Sequence, residues 1–310
     1  MSTRSKAEKT AVLLLAHGTP ELVDDVPEFL RYVTGGRPLP PQSVEEIKRR
    51  YGVIGQSPLN EITMQQAKAL EREVGLPVYV GMRNWKPFIA DVVKRIAADS
   101  VARTIAICMA PQNSRTSVGL YRRAVVGDNG TPFALEFIES WHDHPLLAEA
   151  FADRLRAGWE MACRDSLVKI PIIFTAHSVP QQTIAAGDPY DKQACETAEL
   201  VASVADIAAE DWSFAFQSQG VSGGPWIGPT VEHTILRLKE KGHRGVFIQP
   251  VGFLCDHVEV LYDIDIAFQD FATKHGMRLW RAESLNDSPK LIAALADLVR
   301  SRVERGKGKS

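Results

Sequence analysis

One short phrase occurs twice in this chain: an apolar run, then Ala-His, then Pro. Leu13-Leu14-Leu15-Ala16-His17-Gly18-Thr19-Pro20 stands in the first half, and Ile172-Ile173-Phe174-Thr175-Ala176-His177-Ser178-Val179-Pro180 in the second. Four or five apolar residues bounded by turn formers read as a strand buried on both faces, as in parallel sheets. The residue just beyond the carboxyl end of such a strand lies at the crevice where open α/β sheets bind ligands. Two histidines are therefore offered at equivalent places of two similar halves, and a ligand between the halves would meet both.

A second echo keeps the same order. Trp85-Lys86-Pro87 precedes a helical pattern (Ile89, Val92, Val93, Ile96) and the strand Thr104-Ile105-Ala106-Ile107, ending at Ala110-Pro111. Trp226-Ile227-Gly228-Pro229 precedes Val231, Ile235, Leu236, Leu238 and the strand Gly245-Val246-Phe247-Ile248, ending at Pro250. Any two βα units share such periodicities. Two echoes in one order favour duplication.

The length of 310 residues suits two ordinary domains or one large α/β unit. An apolar fraction of 45% with 24% charged residues is that of a globular protein. The net charge of −2 gives no reason to expect nucleic acid or an anionic membrane. The longest apolar runs, such as Thr104 to Ala110, are too short to span a bilayer. Met1 to Thr10 is polar and lacks the apolar centre of a signal peptide, so a cytoplasmic location is expected. Cys108, Cys163, Cys195 and Cys255 are scattered, which argues against a disulfide framework or a zinc ribbon. Arg305 to Ser310 reads as a solvated tail.

Strand-like runs near 11–16, 77–81, 103–109, 133–137, 170–175, 213–217, 245–250 and 277–281 alternate with helical patterns. Ser43, ahead of Val44-Glu45-Glu46, looks like a helix N-cap with a capping-box carboxylate. Asp287-Ser288-Pro289 opens a last helix whose Leu291, Leu295 and Leu298 share a face. The alternation predicts an α/β protein of two similar Rossmann-like lobes, each a parallel four-stranded sheet flanked by helices. The boundaries expected are 1–145 and 146–310, with the last helix packing back on the first lobe.

The densest chemical signal is Gly252 to Asp265, which follows the strand ending at Pro250. Asp256, His257, Glu259, Asp263 and Asp265 are hard ligands and proton acceptors suited to a divalent cation. A helix N-terminus enriched in acids explains Asp256 and Asp263 equally well. It explains Glu259 less well, because a carboxylate in an apolar crevice needs a partner. His177 is the natural one. Trp226, amid Gly223, Gly224 and two prolines, suits either the wall of a flat aromatic ligand or the packing of a tight loop.

At this point a resemblance can be stated. Phe174-Thr-Ala-His-Ser-Val-Pro180, Gly187-Asp-Pro-Tyr190, Gln217-Ser218, Pro225-Trp-Ile-Gly-Pro229, Asp256-His-Val-Glu-Val-Leu-Tyr-Asp263 and Arg281-Ala-Glu-Ser-Leu-Asn286 stand in the order found in ferrochelatases. The chain resembles that family along nearly its whole length. The resemblance implies the chelatase-like fold, with two lobes clasping a porphyrin and inserting Fe(II) into it. His177 matches the metal-centre histidine and Glu259 its facing glutamate, leaving open which of them takes the pyrrole proton and which first holds iron. Metalation releases two pyrrole protons, so a base must face the ring. His17 falls where relatives carry tyrosine or methionine over the other ring face. Arg50, Tyr51, Ser57 and Tyr121 match positions that contact porphyrin propionates, Arg83 a basic position near the pocket, Trp226 a pocket wall and His257 a supporting residue.

The departures are informative. Thr34 replaces a propionate-binding arginine, and the loop Ile54 to Pro58 is one residue short, which bears on Ser57. Ala267 interrupts the acidic line beyond Asp263, so an outer metal-relay site is expected to be missing. Arg115 replaces a cluster cysteine, so no iron–sulfur cluster and no other cofactor is expected. Gly35 to Gln42 is short and polar, like the lip of enzymes acting on coproporphyrin III. Protoporphyrin IX is the alternative substrate. A haem carrier and a cobalt chelatase are the competing readings, and retention of both His177 and Glu259 argues against the carrier. The expected partners are the porphyrin, Fe(II) and, transiently, other enzymes of haem formation. The protein is expected to be a monomer, with no nucleic acid and no integral membrane association.

Overall fold

The computed structural model describes residues 9–220 and 224–307. Met1–Glu8, Gly223 of the Trp226 loop and Gly308–Ser310 of the tail lie outside them. The first sheet contains β1 (Thr10–Ala16), β2 (Val78–Met82), β3 (Arg103–Cys108) and β4 (Ala134–Ile138), in the order β2-β1-β3-β4. The second contains β5 (Ile172–His177), β6 (Trp212–Gln217), β7 (Gly245–Pro250) and β8 (Arg278–Arg281), in the order β6-β5-β7-β8. All pairings are parallel, and the two orders are the same.

The second echo survives as geometry. Met82 N–H donates to the Pro87 carbonyl (2.8 Å), and Phe216 N–H donates to the Pro229 carbonyl (2.8 Å). Both prolines follow a cis peptide bond.

The first-lobe helices are α1 (Val26–Val33), α2 (Pro41–Ile54), α3 (Leu59–Val74), α4 (Ile89–Ala98) and α5 (Val118–Val126). The long α6 (Pro145–Ser166) then leads to the second sheet. There follow α7 (Gln181–Ala185), α8 (Tyr190–Val204), α9 (Val231–Glu240), α10 (Val258–Leu261), α11 (Gln269–Lys274) and α12 (Pro289–Lys307), with a π-helical turn at Asp263–Phe268 between α10 and α11.

Alternate residues of a strand face opposite sides. Ala11, Leu13 and Leu15 pack with α4 and α5, whereas Val12 and Leu14 face the opposite way. That second face opens onto one apolar core shared by both sheets, in which Val12, Leu14 and Ile107 join Ile172, Phe174 and Phe247 through Phe151 of α6 and Leu295 of α12. The last helix does return to the first lobe. Arg300 pairs with Glu73 at the end of α3 (2.6 Å), and Arg302 with Glu136 of β4 (3.4 Å). Polar bonds lock the lobes on the site side as well, where Gln112 donates to Thr197 Oγ1 (3.0 Å) and Arg115 N–H to the buried Asp188 (2.7 Å).

Two expectations are corrected. Ser43 is not a cap: α2 begins at Pro41, whose fixed φ suits a first helical turn, and the Pro40 carbonyl accepts from Ser43 N–H (2.9 Å). Its expected capping partner, Glu46, instead faces Arg49 and Arg50 (2.9 and 3.0 Å). The tail is helical through Lys307. Among the described residues no helix is long and apolar enough to cross a membrane.

Leu295 is fully buried where the two lobes share their core. Leu295→Ala is expected to cost about 2–5 kcal/mol, read as a lower urea midpoint with an unchanged slope.

Candidate active site

Parallel pairing puts the carboxyl ends of β1 and β5 at equivalent edges, and a backbone bond to the neighbouring strand's segment holds each histidine's stretch of chain there. Asn84 N–H donates to the His17 carbonyl (2.9 Å), and Ser178 N–H to the Gln217 carbonyl on the strand beside His177 (2.7 Å). Each ring then turns Nδ1 toward the next carbonyl: His17 toward Gly18 O (2.9 Å) and His177 toward Ser178 O. A carbonyl only accepts, so Nδ1 carries the hydrogen and Nε2 is left for chemistry.

The Nε2 of His177 lies 3.3 Å from Glu259 Oε1. Glu259 arrives there because the chain after β7 crosses the end of β5. The approach is so close that a Cβ on Gly252 would lie 2.8 Å from Ala176 Cα. His257 then caps α10, its Nδ1 accepting from Glu259 N–H (3.1 Å), while Gln217 Nε2 donates to the Glu259 carbonyl (2.8 Å). Phe253 lies against both rings, with centroids 4.6 Å from His257 and 6.5 Å from His177.

Burial alone lowers the pKa of His177, but the charge and hydrogen bond of Glu259 outweigh it and raise the group to about 9. Burial likewise raises Glu259, and the contact with His177 reverses this, down to about 2. At neutral pH the pair is therefore an imidazolium and a carboxylate. Burial, then the charge of Arg83, hold His17 down at about 4, and burial lowers His257 too. Those two rings are neutral.

Several of the other anticipated residues lie near this pair. Tyr51 is buried with its hydroxyl 3.1 Å from Thr19 Oγ1, and Arg83 sits 5.7 Å over the Tyr121 ring. The Glu259 charge reaches His17, Tyr51 and Tyr121 alike. Trp226 stands 6.3 Å from the His177 ring. Ser57 Oγ and Arg83 Nε are buried without a protein partner. Arg50 is half-exposed and bonded to Glu46 (3.0 Å) and, across the lobes, to Asp263 (3.4 Å). Thr34 Oγ1 turns back to the Arg37 carbonyl (2.7 Å). Arg115 donates to the Ala186 carbonyl at the end of α7 (2.9 Å), tying the lobes together.

The acidic run does not form one cluster. Asp256 accepts from Ser284 Oγ (2.7 Å) and Asn286 Nδ2 (3.0 Å), and Asp265 pairs with Arg281 (2.6 Å). Asp263 falls in the π-helical turn, where it accepts from the Ser218 hydroxyl. Asp256 lies just before the N-cap His257 of α10, whereas Asp263 lies inside a continuous helical run, where a helix N-terminus does not explain it. Among the described residues no group of three or more His, Cys, Asp or Glu is placed to hold a metal ion. Sequence reasoning assigned no role to Gln217, Ser218 or Tyr190, although Gln217 ends a strand just as His177 does.

Two lobes built on parallel four-stranded sheets of the same strand order have the fold of the chelatases. SirB from Bacillus subtilis, solved with Fe3+, superposes with a TM-score of 0.59 at 11% identity, over 97% of this chain and 98% of that one. The ferrochelatase family model matches residues 9–303. A ferrochelatase from Acidobacterium capsulatum is 55% identical, over 96% of each chain. A coproporphyrin III ferrochelatase from a Geobacillus species is 34% identical, over 96% of this chain and 99% of that one. The chain belongs to the ferrochelatase family.

The side chains of His177 and Glu259 are 31% and 36% exposed, so solvent screens part of their attraction. Their mutual stabilisation is full between about pH 4.5 and 6.5, the ordinary values. It is lost as pH rises through about 9 or falls toward about 2. Glu259→Gln is expected to return the His177 titration from about 9 toward or below its ordinary value of 6.5, followed through the imidazole resonances.

Proposed function

We propose that this protein inserts Fe(II) into coproporphyrin III, with His177 and Glu259 as the catalytic pair on one face of the ring. The observation that carries the reading is their 3.3 Å contact at the carboxyl edge of the second sheet, in a chain of the ferrochelatase family. Insertion exchanges one dication for two pyrrole protons. In the resting site the pair holds a single proton, on His177. A dication arriving beside it disfavours that proton and expels it to solvent, which frees Nε2 to take the two pyrrole protons in turn, passing the first to solvent before it accepts the second, while Glu259 offsets the metal charge. Turnover should therefore fall as pH drops below about 9, because the dication then has to displace the His177 proton.

The choice of coproporphyrin has three supports. The segment 34–40 between α1 and α2 is short, and Arg37 on it is exposed. A tetracarboxylate offers acceptors to the unpartnered Ser57 Oγ and Arg83 Nε, whose isolation otherwise costs about 1–3 kcal/mol each. The Geobacillus relative, 34% identical, bears that substrate in its name.

Anaerobic Fe(II) insertion assayed side by side with coproporphyrin III and protoporphyrin IX tests the reading. The expected result is faster turnover of the first. Preference for the second would reverse the substrate assignment, and no turnover of either would sink the activity. His177→Ala and Glu259→Ala should each lower kcat by at least about 100-fold, while still quenching porphyrin fluorescence on binding.

On the opposite face, neutral His17 has a free Nε2 and is assigned as axial ligand to product iron. His17→Ala is expected to shift the Soret band of the product complex and to speed product release, with single-turnover insertion little changed. An unchanged spectrum would remove His17 from the iron.

A further inference from the structure

We propose that Gln217 and Ser218, the pair at the end of β6, are positioning residues that set the spacing between His177 and Glu259; the inference rests on reading that pair as the metal-inserting group. Gln217 is the register partner of His177 on the neighbouring strand and is only 2% exposed. It holds both members. Its carbonyl accepts from Ser178 N–H (2.7 Å), the residue whose own carbonyl orients the His177 ring, and its Nε2 donates to the Glu259 carbonyl (2.8 Å). The amide orientation follows from that partner, because a backbone carbonyl cannot donate.

Ser218 supplies a second anchor four residues further along the same segment. Its φ is +60°, a left-handed conformation that few non-glycine residues adopt. In this conformation its hydroxyl donates to the Asp263 carboxylate. The element so held is irregular: α10 is four residues long and passes through Tyr262 into the π-helical turn.

The remaining oxygen of Gln217 strengthens the case. Oε1 is buried and has no partner, a state that an apolar side chain of similar size would avoid. The donor at Nε2 is what an apolar replacement would lack. In the free protein, His177 is faced by Glu259, Asp263 and His257, so its Nε2 resonance reports the Glu259 contact without any turnover.

The test uses Gln217→Leu, Ser218→Gly and a control, Gln249→Leu, which removes another buried amide of the same sheet, with its own unpartnered Oε1. In Gln217→Leu the 15N resonance of His177 Nε2 should move toward its position in Glu259→Gln. Single-turnover insertion should slow about 10- to 100-fold, with porphyrin affinity within about twofold of the parent. Ser218→Gly should show the same changes in smaller degree even though glycine relaxes the backbone, and it carries both readouts if Gln217→Leu does not fold. Gln249→Leu should leave the resonance in place. An unmoved His177 resonance in Gln217→Leu or Ser218→Gly, or an equal movement in Gln249→Leu, would overturn the proposal. If the parent protein inserts no metal, the activity reading falls, and the resonance still decides whether Gln217 sets the contact.

Discussion

Parallel strand direction is the constraint on which the rest of this molecule depends. With every strand of a sheet running the same way, all carboxyl ends share one edge, and the loops leaving that edge are the ones that face a ligand. The shared apolar core then fixes how the two edges meet. Phe151 of α6 and Leu295 of α12 lie in one cluster with strand residues of both sheets, so neither lobe completes its core alone. Displacing α12 would move the second edge relative to the first. It would thus move His177 and Glu259, both in the second lobe, relative to His17 at the end of β1 in the first.

The frame of the fold was legible because it is periodic. Leu13, Leu14 and Leu15, or Ile172, Ile173 and Phe174, admit few readings other than strands covered on both faces, and β1 and β5 are those strands. Leu291 and Leu295 are fully buried, as their spacing required. Where a local signal competed with a steric one, the steric one prevailed. Ser43 had the right side chain for a cap, but Pro41 had the right φ one turn earlier. The core spanning both lobes was harder to foresee, since periodicity says which face of a helix is buried and not against which sheet.

The site was legible in its members and less so in their partners. His177 and Glu259 could be named from two separate phrases, and they do meet. The fate of the neighbouring acids depended on residues distant in sequence: Ser284 and Asn286 for Asp256, Arg281 for Asp265, Ser218 and Arg50 for Asp263. No spacing rule joins residue 50 to residue 263. The π-helical turn was equally hidden, because it shifts the helical register without any glycine or proline to mark it.

The two repeated histidines show how one backbone arrangement used twice can hold its rings in two different electrostatic settings. Both end or follow the second strand of their sheet order, and both turn Nδ1 to the carbonyl of the next residue. The backbone thus fixes the same tautomer twice. What differs is the charge beside each ring. Arg83, which packs over Tyr121, faces His17 and reinforces the effect of burial, so that ring stays neutral with Nε2 available. Glu259 faces His177 and overrides burial, so that ring carries a proton. Neutral imidazole is a metal ligand, and an imidazolium held by a carboxylate is a proton carrier whose charge a dication can displace. The difference in charge between the two rings therefore lies in one arginine and one glutamate. The repeated backbone geometry places the two histidines alike, and their different neighbours give them different charge.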